Sequence, residues 1–65
     1  MNLQTARENI GKTVNYTDPG YPLRREVGQI DRVIESRKQV LVYYPKEGQK
    51  HLTDPSNIEL LGEGR

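Results

Sequence analysis

The chain has 65 residues, 32% of them hydrophobic, which bounds it to one small domain whose core is marginal. It has no Cys and a single His, so neither a disulfide framework nor a zinc site braces it. Ten Lys and Arg against nine Asp and Glu leave a net charge of +1, without the basic excess of most nucleic-acid modules.

Leu3, Ala6 and Ile10 recur at i, i+3 and i+7 and predict a short helix over 3–10. Asn2 suits its N-cap, and Gly11 sits where a left-handed residue is wanted. Too short to stand alone, the helix is expected to pack across an open end of a sheet. Val14 and Tyr16 alternate with Thr13, Asn15 and Thr17, a strand over 12–17. Asp18-Pro19-Gly20-Tyr21-Pro22 interrupts it and opens an irregular loop to about Arg24. Val27, Ile30 and Val33 with Gly28 read as a second strand, 25–34, whose pattern slips a register as at a β-bulge.

Glu35-Ser36-Arg37-Lys38 is short enough to join that strand in a hairpin to 39–44, where Val40, Val42 and Tyr44 alternate with Leu41 and Tyr43. Pro45 ends the third strand, and Gly48 supplies a positive φ for the next turn. A fourth strand follows at 51–53. Asp54-Pro55-Ser56-Asn57 suits one 3₁₀ turn with Asp54 capping, and a fifth strand runs over 58–61. The expected fold is therefore mainly β, five antiparallel strands curling into a small barrel, with Leu3, Ile10, Val14, Ile30, Val33, Val40, Val42, Leu52, Ile58 and Leu60 buried. Residues 1–65 make one domain: the helix in 1–11, the barrel in 12–61 and a flexible tail at 62–65.

The ending Asp54-Pro55-Ser56-Asn57-Ile58-Glu59-Leu60-Leu61 resembles that of SH3 domains, as does the strand order. Ile58 stands where a binding tyrosine would follow Asn57, and there is no Trp. The resemblance therefore implies an SH3-like barrel rather than recognition of proline-rich peptides. A wider likeness carried by Gly11, Lys12, Val14, Tyr16, Gly28, Val40, Val42, Thr53, Pro55, Ile58 and Leu60 is similar to short, uncharacterised phage and prophage proteins with SH3-like folds. Gly28 is also similar to the turn glycine of the KOW motif.

Catalytic chemistry finds little footing. His51 is the lone imidazole, thiols are absent, and the glycines are scattered singly rather than gathered into a phosphate loop. Asp31 and Glu35 read as a solvated face. No enzyme, cofactor or metal is expected. Two binding constellations stand out. Arg24, Arg25, Arg32, Arg37 and Lys38 are able to meet phosphates while Tyr21 or Tyr43 stacks on a base, although Glu26, Asp31 and Glu35 interleave with them. Alternatively, Tyr21 and Tyr43, out of phase with the core tyrosines Tyr16 and Tyr44, anchor a protein contact. The expected site is Tyr21, Arg24, Arg25, Arg37, Lys38 and Tyr43 around the 18–24 loop and the 35–38 turn. The expected function is a small protein-binding module, with nucleic-acid binding as the alternative. No apolar run approaches a membrane span and no signal peptide is evident, so a cytoplasmic location is expected.

Overall fold

The computed structural model describes residues 1–61. The tail expected at 62–65 lies outside the described residues. The elements in order are α1 (Leu3–Arg7), β1 (Thr13–Asp18), β2 (Tyr21–Ile34), β3 (Gln39–Tyr44), β4 (Gln49–Thr53) and β5 (Ile58–Leu60), with 3₁₀ turns at Glu35–Arg37 and Pro55–Asn57. All strand pairs are antiparallel, in one sheet of order β4-β3-β2-β1-β5. The sheet is open, with β4 and β5 at its edges. Among the described residues no helix is long and apolar enough to cross a membrane.

The inner face follows the period-two pattern. Val14, Ile30, Val40, Val42, Tyr44 and Ile58 are buried together with Ala6 of the helix, and Leu3, Tyr16, Val33 and Leu60 pack against them. Fully burying an aliphatic side chain of this kind contributes about 1.5–3 kcal/mol. β2 serves this face on both sides of a bulge. Ile30 pairs with Val42 and Arg32 with Leu41, so Asp31 is the extra residue and both Ile30 and Val33 reach the core.

Gly28 also lies on the inner face, opposite Val14. A Cβ there would stand 2.6 Å from Val42 Cγ1, 2.9 Å from the Tyr43 carbonyl oxygen and 3.1 Å from Tyr44 Cδ1. The missing side chain is the space into which β3 and the Tyr44 ring pack.

Two expected core residues are exposed, Ile10 at 51% and Leu52 at 41%. The helix stops at Arg7, so Ile10 no longer shares a helical face with Leu3 and Ala6. In β4 it is Thr53 and His51 that pair with Val40 and Val42, which turns Leu52 outward beside Leu41. The irregular 18–24 loop is likewise replaced by strand. Asp18 Oδ1 accepts from the Gly20 N–H at 2.9 Å, closing a tight turn at Pro19-Gly20, and Asp18 pairs directly with Tyr21. The irregularity falls on β2 alone, where Pro22, Leu23 and Arg24 are extra between the Asp18–Tyr21 and Thr17–Arg25 pairs.

The caps are those expected. Asn2 Oδ1 accepts from the Thr5 N–H at 2.8 Å, and Asp54 Oδ1 accepts from the Ser56 N–H at 2.9 Å and its hydroxyl at 2.8 Å. Gly11 and Gly48 have φ of 90° and 67°. Gly11 lies in the turn after the helix rather than at its immediate end, since Glu8 is the C-cap.

Candidate functional site

In an up-and-down sheet, alternate turns lie at opposite ends. The Pro19-Gly20 turn therefore shares an end with the β3–β4 turn at 45–48, and the 35–38 turn is at the other. This divides the six expected site residues. Tyr21, Arg24 and Arg25 stand at the start of β2, with Arg24 Cζ 5.9 Å from the centre of the Tyr21 ring. Arg37 and Lys38 are exposed beyond the far end of β2, where Glu35 pairs with Arg7 of the helix. Tyr43 is half-buried on the outer face, in register with Gln29 and Lys50. The structure brings the first three together and leaves the other three apart from them. Asp31 and Glu35 are separated too, since Asp31 pairs instead with Arg32 at 3.0 Å and Lys50 at 3.2 Å. Those hydrogen bonds, Arg32's first, hold the Asp31 carboxyl below the usual range.

The end that carries Tyr21 and Arg24 holds an open groove of about 770 Å³ between the β1–β2 hairpin and the β3–β4 turn. Leu23, Arg24 and Arg25 line one side, Lys46 and Glu47 the other, and Tyr16 and Glu26 the floor between. A second hollow of about 360 Å³ continues from Tyr16, Glu26 and Glu47 towards Tyr44, His51 and Asn57. Beyond the core, the inner face thus changes from aliphatic to aromatic and ionisable. Tyr16 and Tyr44 meet edge to face, with ring centres 6.1 Å apart, a favourable geometry for two quadrupoles. The Tyr44 hydroxyl lies 2.9 Å from Thr53 Oγ1, which donates its own proton to the His51 carbonyl at 3.2 Å. Tyr44 is therefore the donor in the buried pair. Burial also pushes the Tyr44 hydroxyl up, keeping it a proton donor.

Glu26 pairs with Tyr16 across β1 and β2. Its Oε2 is closed to solvent and has no donor partner while both carboxylates are ionised, and the Glu47 carboxyl is near enough to share a hydrogen bond with Glu26 once either is protonated. Burial first, then the neighbouring Glu47, raises the Glu26 carboxyl above its ordinary value, against smaller opposing effects from Lys46 and His51. Glu47 Oε1 in turn pairs with His51 Nε2 at 2.9 Å. Among the described residues no three His, Asp or Glu side chains converge as a metal-binding group.

Tyr16, Leu23, Glu26, Glu47 and His51 were not among the expected site residues. A signal for two of them was present: Glu26 is in phase with Gly28 and Ile30, and Tyr16 with Val14, so alternation places both on the inner face. No such pattern brings in Glu47, which lies in a turn. Comparison with protein-family models, curated proteins and solved structures finds no match.

Proposed function

We propose that this chain is a small, non-enzymatic binding module with an SH3-like barrel fold, which docks a segment of another protein between the β1–β2 hairpin and the β3–β4 turn. The barrel reading rests on the strand order, the bulged β2, the 3₁₀ turn between β4 and β5 and the SH3-like ending from Asp54 to Leu61. The likeness to short phage and prophage proteins with SH3-like folds supports the same barrel.

One observation carries the functional reading. Leu23 is 95% exposed and lines the groove, and Tyr21, 64% exposed, lies beside it on the same hairpin against Arg24. Large apolar side chains displayed beside a concave site are typical contact anchors. The groove also mixes signs, with Asp18, Glu26 and Glu47 among Arg24, Arg25 and Lys46. A nucleic-acid surface needs a continuous cationic track, and Arg37 and Lys38 are at the other end of the sheet.

The test is selection of displayed random peptides on the folded protein, followed by affinity measurements on variants. Tyr21→Ala or Leu23→Ala is expected to weaken a selected peptide by about tenfold or more, while Arg37→Ala and Lys38→Ala leave it nearly unchanged. If no peptide is selected, and short oligonucleotides bind with a steep salt dependence that Arg37→Ala and Lys38→Ala reduce, the nucleic-acid alternative replaces this reading.

A further inference from the structure

We propose that the protein segment received in the groove presents an arginine or lysine side chain between Glu26 and Glu47, against the ring of Tyr16. The inference rests on the binding-module reading above and names the chemistry of its partner. Its starting point is the Glu26 carboxylate. A buried carboxylate oxygen without a hydrogen-bond donor is unfavourable, yet Glu26 Oε2 is in that position, and none of the ion pairs among the described residues includes Glu26. Glu26 lines both the groove and the adjoining hollow, and a turn of the carboxyl about its last side-chain bond brings its solvent-closed Oε2 within reach of a group bound there. An incoming guanidinium or ammonium group supplies the missing donors and offsets the repulsion between Glu26 and Glu47.

The walls agree with that occupant. Tyr16, half-buried and backed by the Tyr44 ring, offers aromatic surface beside both carboxylates, and an aromatic face attracts a cation while packing its aliphatic stem. Leu23 and Tyr21 on the hairpin are placed for apolar neighbours in the same segment. Arg24, Arg25 and Lys46 rim the wider part of the groove. They disfavour a run of positive charges, so a single cation flanked by apolar or acidic residues fits better than a basic stretch.

Binding of this kind depends on pH. The groups facing Glu26 are Glu47 and Lys46 from the β3–β4 turn, His51 from β4, Tyr16 from β1 and Tyr44 from β3, with Arg25 and Arg24 close on its own strand. A Glu26 carboxyl that takes up its proton at higher pH than an ordinary glutamate loses its attraction for the cation correspondingly early on acidification.

The peptide selection is repeated on a Glu26→Gln/Glu47→Gln variant whose fold is verified by its amide spectrum. Peptides from the parent protein are expected to share one Arg or Lys position beside apolar residues. Those from the variant should keep the apolar positions and lose the cation. Replacing that cation with Gln should weaken binding to the parent about tenfold and leave binding to the variant unchanged. The parent's affinity should also fall on acidification within a range where Glu26→Gln shows no change. Should the double variant fail to fold, Glu47→Gln alone, at an exposed position, carries the same comparison. Selected peptides without a common cation, or a cation bound equally by parent and variant, overturn this inference while leaving the binding module standing. If neither protein selects any peptide, both fail together.

Discussion

Gly28 shows how one absent side chain positions the rest of the site. Its hydrogen stands where a Cβ would press on the Val42 side chain, the Tyr43 carbonyl and the Tyr44 ring. A side chain can turn aside, but the carbonyl belongs to the β2–β3 ladder and moves only with β3. Gly28→Ala is therefore expected to destabilise the protein by roughly 1–3 kcal/mol, the usual range for an overpacked core, and Gly28→Val by more. Denaturant unfolding measures both, and a variant as stable as the parent would show that β3 shifts freely. The damage should also reach the groove, because the Tyr44 ring packs on Tyr16, which lines it. The need for Gly28 was readable from a glycine interrupting an alternating strand. Its neighbours were not, because contacts across strands depend on a register that one strand does not encode. Glu26 illustrates the same limit: alternation puts it on the inner face, whereas its lack of a donor depends on where the 45–48 turn falls.

Among the elements, those readable from the sequence carried a local signal of their own. The third strand lies at 39–44 as its alternation implied, and the Asp54-Pro55 turn is capped as Pro and Asp at those positions predict. The 18–24 stretch misled because Pro and Gly mark a break without giving its length. Here Asp18 closes a tight turn and the ladder resumes at Tyr21. The β2–β3 turn holds a different surprise: Lys38 is the one non-glycine residue with positive φ among the described residues, at 54°. The left-handed region costs a side-chain-bearing residue about 1–2 kcal/mol, of which glycine's greater freedom in the unfolded chain returns about 0.4–1. Lys38→Gly is thus expected to stabilise by about 0.5–1 kcal/mol, seen as a higher unfolding midpoint. A fall instead would mean that the lysine side chain holds the turn through contacts stronger than the strain.

Across the whole molecule, the charged groups set opposing demands on stability as pH changes. Asp31 and Asp54 have lowered carboxyls, Asp31 through Arg32 and Lys50, Asp54 through the backbone and hydroxyl of Ser56. Each contributes stability that is present above the unfolded pKa and lost as pH falls through the lower folded one. Glu26 acts in the other direction. Its carboxyl is raised by burial and by Glu47, so over the interval from the ordinary glutamate value up to the raised one the folded chain binds more protons than the unfolded. Stability therefore increases as pH falls through that interval, and at neutral pH the ionised Glu26 is a net burden on the fold. Thermal unfolding of the parent and Glu26→Gln, from about pH 7 to about pH 2, separates these effects. The variant should be the more stable at neutral pH, and its advantage should shrink on acidification as the parent's carboxyl becomes neutral. Below that interval both should lose stability together as Asp31 and Asp54 protonate, because the substitution leaves those two untouched. A constant difference at every pH would mean that Glu26 has the same pKa in the folded and unfolded chains. A small domain with a marginal core gains nothing in folding from an ionised carboxylate held without a donor at neutral pH. The same carboxylate does strengthen the capture of a cation from a partner, and the pH at which stability and peptide affinity change should therefore coincide.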